Sequence, residues 1–208
     1  MEFINNNVII SGEVVKEPEL SHEVFGENFY NFEIACQRQS GIADIIPVLI
    51  SERTYNMSDI ELGKIFEIKG CYRSYNSHEK DKTHLILSVF CEAISEYDKN
   101  IDENKINLVG FIVKQPTYRK TPLGREISDM LIAVNRPYGK SDYIPCIAWG
   151  RNASYISELN VGTEISLVGR IQSRAYQKRV DEETVIEKIA YEVSISTFRE
   201  ENINECNN

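Results

Sequence analysis

The chain has 208 residues, of which 42% are hydrophobic and 26% are charged, a composition typical of globular proteins and unlike that of disordered or collagen-like chains. No apolar run approaches the roughly 18 residues that a membrane-spanning helix needs, and residues 1–7 lack the basic segment and apolar core of a signal peptide. We therefore expect a cytoplasmic protein with no membrane partner.

The net charge of −9 argues against a nucleic-acid partner only if it is evenly spread. It is not, because residues 1–103 contain 9 Lys and Arg against 19 Asp and Glu, whereas residues 104–180 contain 12 against 5. The average hides a basic region in the second half of the chain and an acidic first half.

The two halves repeat one another. A shift of 98 residues aligns GEVVKEP at residues 12–18 with GFIVKQP at residues 110–116, and a shift of 99 aligns Gly70 with Gly169. Two copies of about 95 residues each predict two domains rather than a solenoid. We place the first domain at residues 1–97 and the second at residues 104–199. Residues 98–103 form the linker between them, and residues 200–208 form a short tail.

Within each copy the apolar residues alternate with period two, and glycine, proline and asparagine interrupt the pattern, as expected for antiparallel strands. The first copy predicts strands near residues 8–15, 29–37, 44–50, 65–75 and 84–93. The second copy predicts strands near residues 105–113, 127–134, 142–149, 164–176 and 184–198, with a short helix at about 152–159 between the third and fourth.

Five strands with a helix between the third and fourth is the element order of the OB-fold, a small Greek-key barrel that binds oligonucleotides or oligosaccharides on one face. The sequence therefore predicts an all-β protein made of two tandem five-stranded OB-fold barrels. Each barrel is expected to have one short helix between its strands 3 and 4.

Strand parity identifies the side chains that leave the second barrel, because successive residues of a strand point to opposite faces. On the face opposite the small apolar residues of the third and fourth strands, the pattern places Tyr143, Trp149, Arg170, Arg174 and Tyr176. Tyr138 and Lys140 lie near the same edge. Aromatic rings among cations suit single-stranded nucleic acid, whose bases stack and whose backbone is negatively charged.

More basic residues lie in the two loops that flank an OB binding face. They are Arg119, Lys120, Arg125, Lys178 and Arg179. Taken singly, each basic residue could be solvated surface and each aromatic could belong to the core or to an interface. Their convergence on one face favours binding. Arg136 and Arg151 are weaker candidates, since either could form a structural ion pair.

At these residues the second copy resembles the bacterial single-stranded DNA-binding protein family. The stretches that carry the resemblance are NKINLVG (104–110), PTYRKTPLG (116–124), IAVNRPY (132–138), DYIPCIAWG (142–150) and GRIQSRAY (169–176). The resemblance implies an OB-fold, base stacking on Tyr138, Tyr143, Trp149 and Tyr176, and no catalysis. It also implies an assembly of four OB domains, which a homodimer of this two-domain chain would supply.

The first copy departs from the family pattern. Ser40, Ile45 and Ser51 stand where the second copy has three of its four stacking residues, and only Tyr75 matches an aromatic. Glu33 and Glu67 add carboxylates to rows that should face phosphates. We therefore predict a degenerate binding face, so that the first domain mainly completes the assembly.

The last nine residues, EENINECNN, lack the acidic, phenylalanine-terminated tip by which the family recruits replication and repair enzymes. We therefore expect no recruitment by that route.

The five cysteines are odd in number and far apart, which favours reduced thiols over disulfides or a zinc site. No nucleophile–base pair or metal-ligand spacing is present, so we expect no enzyme activity, cofactor or metal.

The predicted function is non-catalytic binding of single-stranded DNA during replication, recombination or repair. The alternative is a diverged, primosome-like replication accessory protein whose OB surfaces mainly bind other proteins. It would bind oligothymidine weakly or not at all.

Overall fold

The computed structural model describes residues 5–79, 82–97, 103–179 and 185–201. The first half forms strands β1 (Asn6–Val24), β2 (Glu27–Gln37), β3 (Ala43–Ser51), β4 (Ile65–Glu79) and β5 (Lys82–Glu96). The second half forms β6 (Asn104–Ile112), β7 (Thr117–Lys120), β8 (Glu126–Asn135), β9 (Ser141–Trp149), helix α1 (Arg151–Ser157), β10 (Glu164–Arg179) and β11 (Val185–Glu200). The prediction of an all-β chain is confirmed.

The strand pairings of each half return to their starting strand. They run β1–β2–β3–β5–β4–β1 in the first half and β6–β8–β9–β11–β10–β6 in the second. All of these pairs are antiparallel except β3–β5 and β9–β11, which are parallel. A closed circuit of five strands forms a small barrel without exposed edges. The two circuits share one 11-stranded sheet because β1 pairs with β6.

The core follows the predicted alternation along the strands. In β9 the inward residues Ile144, Cys146 and Ala148 are buried, and in the equivalent strand β3 the residues Ile46 and Val48 are buried as well. Burying such side chains contributes about 1.5–3 kcal/mol for each large aliphatic group. Packing therefore fixes which faces of β3 and β9 point outward.

Two repeated glycines occur where a strand crosses closely over its hairpin partner. A Cβ atom on Gly70 would lie 1.9 Å from the carbonyl oxygen of Phe90, and one on Gly169 would lie 2.4 Å from that of Ser194. Both glycines sit at register irregularities, in the β4–β5 and β10–β11 pairs. The close approach explains why each copy has glycine at this point.

The helix prediction holds in only one half. Helix α1 lies where the second copy predicts it, but between β3 and β4 the described residues form only a 3-10 turn, Met57–Asp59. There the Asn56 side chain accepts a hydrogen bond from the Ser58 backbone N–H. Asn, Ser and Asp side chains that bond to nearby backbone compete with helix formation. In the described ranges no helix is long and apolar enough to cross a bilayer.

Two buried carboxylates join the halves. The fully buried side chain of Asp142 accepts hydrogen bonds from Arg136 of its own half, from Arg73 of the first half at 3.1 Å, and from the backbone N–H of Ser74. The Ser74 hydroxyl in turn accepts a bond from the backbone N–H of Tyr143 at 2.8 Å. Arg136 is thus a structural ion-pair residue.

Asp44 makes the corresponding contact in the opposite direction. Its fully buried side chain binds Arg38 of the first half, Arg170 of the second half at 2.9 Å and the backbone N–H of Ser173 at 2.8 Å. The Ser173 hydroxyl accepts from the Ile45 N–H at 3.0 Å. We call the contacts around the two aspartates the clamps.

We expect Asp142→Ala to lower the free energy of unfolding by about 3–5 kcal/mol, because removing one partner of a buried ion pair leaves the other charges unpaired. The matched control is Asp129→Ala, which removes an exposed carboxylate paired with Arg119 and should cost less than about 1 kcal/mol. Urea unfolding followed by circular dichroism measures both. Equal losses in the two variants would contradict the structural role given to the clamp.

Candidate nucleic-acid interface

Two aromatic side chains stand on one outward row of β9. Tyr143 and Trp149 are 45% and 37% exposed, and the residues between them on this face are Pro145 and Ile147. The indole Nε1–H of Trp149 donates to the Ser194 hydroxyl of β11 at 3.2 Å, which orients the ring. The row therefore offers two exposed ring surfaces, of which that of Trp149 is held by a hydrogen bond.

Strand β7 places a cation beside this row. Arg119 pairs with Ile127 of β8, which pairs with Trp149 of β9, so the three residues form one cross-strand row. Neighbouring strands lie about 4.8 Å apart. The Arg119 Nε donates to Asp129 at 2.6 Å, and this hydrogen bond raises the pKa of Arg119. The sequence predicted a loop at this position.

The other basic residue of β7 is also paired. Lys120 Nζ lies 3.6 Å from Glu126 Oε1, and both side chains are solvent-accessible, as are those of the Arg119–Asp129 pair. Exposed ion pairs contribute only about 0–1 kcal/mol. A phosphate group can therefore replace either carboxylate at low cost.

A second aromatic–cation pair lies on β10. The Arg174 guanidinium is 6.0 Å from the ring centroid of the half-buried Tyr176, within range of a cation–π contact. Arg174 also lies 3.8 Å from Glu192, whose carboxylate accepts a 2.6 Å bond from the Gln172 amide. Glu192 is a carboxylate on this face that the sequence analysis did not single out.

Arg170 has a structural role that the sequence did not indicate. The sequence predicts that it faces nucleic acid, but its Nη1 donates to Asp44 and its Nη2 donates to Gln172 at 3.2 Å. Burial lowers the pKa of Arg170, and the nearby Arg38 lowers it further. Arg170 is therefore part of the clamp, while 34% of its side chain stays exposed, and phosphate binding by Arg170 stays a prediction.

The remaining basic candidates lie at the periphery. Within the described part of the chain, Arg125, Lys140 and Arg179 have exposed side chains and form no ion pair. Their charges are accessible to an anionic ligand. The side chain of Lys178, most of the predicted linker and residues 202–208 lie outside the described residues.

Tyr138 occupies a different place from the other three predicted aromatics. It lies in the 3-10 turn Pro137–Gly139 with a φ of 66° and a ring that is fully exposed. A non-glycine residue in this left-handed region is uncommon. Its ring lines a cleft shared with the first half of the chain, and it does not stand in the β9 row.

The first half carries aromatics that the sequence comparison missed. Phe29 of β2 pairs with Ser51 of β3, and the equivalent pair in the second half is Ile127 of β8 with Trp149 of β9. The aromatic ring of this pair is therefore on β2 in the first half, whereas in the second half it is on the third-strand equivalent, β9. The centroid of the Phe29 ring lies 5.1 Å from that of His22, in a stacked geometry, and 6.4 Å from that of Phe90. Position-by-position alignment cannot detect such an exchange.

The two predicted acidic residues of the first face are separated. Glu67 bonds to Lys69 at 2.9 Å, and its strand neighbours are Ser11 of β1 and Ser95 of β5, away from β2 and β3. Glu33 does lie on β2. It is close enough to Tyr191 of the other half to contribute, after burial, to the raised pKa of that phenol.

The Single-strand binding protein family model matches residues 103–198. The match covers nearly the whole second half of the chain. It is 34% identical over 80 residues to the single-stranded DNA-binding protein of Halalkalibacterium halodurans, covering 35% of this chain and 48% of that protein. It is 29% identical over 96 residues to single-stranded DNA-binding protein A of Bacillus subtilis, covering 43% and 56%. The chain thus spans about half the length of the relatives it matches.

The likeness in fold extends over nearly the whole chain. The wild-type single-stranded DNA binding protein from Thermus aquaticus superposes with a TM-score of 0.74, covering 98% of this chain and 96% of that one. The identity of 20% is low, so this comparison concerns the fold alone. Both halves, and not only residues 103–198, share that fold.

The thiols of this fold are held in the neutral form. Burial and a hydrogen bond to Glu92 raise the pKa of Cys71 to about 12, and burial raises that of Cys91 to about 12. Cys146 is shifted in the same direction by burial. Because the thiolate is the reactive form, these thiols are poor nucleophiles near neutral pH. In the described ranges, no group of three or more His, Cys, Asp or Glu could hold a metal ion.

We expect Cys71 and Cys91 in a Cys206→Ser background to react with a disulfide reagent at pH 8 at least about 100-fold more slowly when folded than in guanidinium, because so little thiolate forms. The raised pKa means that the folded chain retains protons that the unfolded chain releases. The free energy of unfolding should therefore fall as the pH rises from about 9 toward about 12. Rapid labelling of folded Cys71, identified by its loss in Cys71→Ser, would contradict this assignment.

Proposed function

We propose that this chain is a non-catalytic single-stranded DNA-binding protein that acts in DNA replication, recombination or repair, and hence in the cytoplasm. The observation that carries the proposal is the outward row of β9. Tyr143 and Trp149 are exposed there on one face of a domain that the single-strand binding protein family model matches. The ring faces and the accessible cations around them match the two chemical features of an unpaired strand.

The bases would stack on the aromatic rings. Tyr143 and Trp149 are six residues apart on one strand, which corresponds to about 20 Å and leaves room for several nucleotides between them. Tyr176 with Arg174 would provide a further stack on β10. Each stacked base contributes roughly 1–3 kcal/mol with little dependence on sequence, so a few platforms suffice for useful affinity.

The phosphates would be neutralised by two groups of cations. Arg125, Lys140 and Arg179 are accessible without breaking a described ion pair, and we include Lys178 from its place in the sequence. Arg119 and Lys120 would give up their weak ion pairs with Asp129 and Glu126 and bind phosphates instead. Each phosphate neutralised should add about −0.7 to the slope of log affinity against log salt.

The architecture that we propose is two tandem OB-fold domains at residues 1–97 and 104–199. The closed strand circuit in each half and the fold likeness to the Thermus aquaticus protein support it. The first domain would then contribute to the assembly and, through the clamps, to the position of the second.

We expect the purified chain to form a homodimer, which would supply four OB domains. Multi-angle light scattering should give about twice the chain mass of 23.9 kDa, and a mass equal to one chain would contradict the dimer. The Asp142→Ala variant is a useful comparison, because the clamps act within one chain. We expect this variant to lose stability before the measured mass of the oligomer changes.

We expect Trp149→Ala to weaken oligothymidine binding by about 5- to 150-fold, the equivalent of ~1–3 kcal/mol for one lost stack. Trp149→Phe, which keeps an aromatic face, should lose much less. Since Trp149 is the only tryptophan, quenching of its fluorescence in the wild-type chain reports contact directly.

The same titration at two salt concentrations separates the proposal from its rival. Strong quenching that weakens with salt supports stacking with phosphate neutralisation. A wild-type chain that fails to bind oligothymidine at low salt would refute the proposal and favour a replication accessory protein whose surfaces bind other proteins.

A further inference from the structure

A cleft of about 790 Å³ separates the outer face of the first half from the second half. Its floor consists of Leu49 of β3 and Phe90 of β5, which are neighbours in the parallel β3–β5 pair. Pockets of about 300–1,000 Å³ hold small organic ligands, so the cleft has room for more than one nucleobase.

Four ring side chains from separate parts of the chain line this cleft. His22 comes from the end of β1, Tyr75 from β4, Phe90 from β5, and Tyr138 from the turn before β9. Tyr75 and Tyr138 are 49% and 100% exposed, and His22 is held flat against Phe29. The walls thus offer flat ring surfaces of the kind that unpaired bases stack on.

The charge of the cleft is opposite to that of the first half, which supplies most of its described lining. Arg73 and Arg136 line it, and no Asp or Glu is among its described lining residues, although residues 1–103 have ten more acidic than basic residues. Both guanidiniums bind the buried Asp142, which fixes them in place. Two cations against one buried carboxylate leave the cleft locally positive and complementary to a phosphate backbone.

One residue of the cleft wall is bonded to β9. Ser74 lies in the cleft wall, and its hydroxyl accepts the hydrogen bond from the backbone N–H of Tyr143. Tyr143 is the member of the β9 row nearest to this point. A strand lying along β9 from Trp149 to Tyr143 would therefore end next to a residue of the cleft wall.

We propose that this cleft is a second nucleobase-binding site, in which bases of the same single strand stack on Tyr138, Tyr75 and Phe90 while Arg73 and Arg136, held by Asp142, make the cleft positively charged. The inference rests on the proposed function and deepens it. It replaces the sequence-based expectation of a degenerate first face, since Tyr75 of β4 is joined there by Phe90 of β5 and by Tyr138 of the other half.

The first test compares two lengths of oligothymidine, one that spans only the β9 row and one long enough to enter the cleft. Phe90→Ala, Phe90→Leu and Tyr75→Ala should each weaken binding of the long oligomer by about 5- to 150-fold. Binding of the short oligomer and its quenching of Trp149 should stay unchanged. Phe90→Leu keeps the apolar packing against Phe29 while removing the aromatic face.

The matched control is Tyr155→Ala. Tyr155 is an exposed aromatic on α1 that contacts Phe198 and is not among the described lining residues of the cleft. Its removal should leave the affinity for both oligomers unchanged. Circular dichroism of every variant shows whether the barrel has formed.

The second test needs no variant. Long oligothymidine substituted with 5-iododeoxyuridine is irradiated with the wild-type chain, and the cross-linked peptides are identified by mass spectrometry. Adducts on His22, Tyr75, Phe90 or Tyr138 are expected, together with adducts on Trp149.

The outcomes separate the two proposals. If the wild-type chain binds neither oligomer, the proposed function fails. If it binds both and quenches Trp149, but the cleft variants bind normally and all adducts lie on β9, the function stands and the cleft is not a site.

Discussion

The arrangement of the two halves depends on burying Asp44 and Asp142 with their charges compensated. An ionised carboxylate inside a protein is costly unless it is paired and hydrogen-bonded, and each of these accepts bonds from two arginines and a backbone N–H. For each aspartate, one arginine comes from its own half, and the second arginine and the N–H come from the other half. The pairing therefore holds β4 of the first half against β9 of the second, and β3 of the first half against β10 of the second.

The clamps are related by the repeat, but their symmetry is incomplete. Asp44 and Asp142 are equivalent positions, whereas the cations that cross between the halves, Arg170 and Arg73, are not. The outer faces differ in the same manner, because the ring that Trp149 provides on β9 is provided by Phe29 on β2 in the first half. A barrel of this kind can place an aromatic ring at one position of its face from either of two paired strands, because directly opposite residues of paired strands share a face.

The strands could be predicted from the sequence, because burial of one face imposes a period of two. The alternation of Ile144, Cys146 and Ala148 shows this period directly. The sequence was also sufficient to place Tyr143 and Trp149 on the outward face. It was not sufficient for Arg170 or for the cleft, because a guanidinium on an outward row can bind either a phosphate or a carboxylate of another domain. Only the packing of the halves decides between these, and that packing leaves no local pattern in the chain. Strand β7 was missed because four residues are too few for a periodic signal.

Net charge is a poor guide to the ligand of such a molecule, and the distances explain why. At physiological ionic strength the Debye length is about 8 Å, so an anionic strand responds mainly to charges within one or two strand spacings of its path. Glu67 and its Lys69 partner lie on β4 outside the β2–β3 face, while Arg73 and Arg136 line the cleft itself. An acidic domain can therefore present a locally positive surface, provided that each carboxylate on the path is already bound, as Asp142 is by both of these arginines.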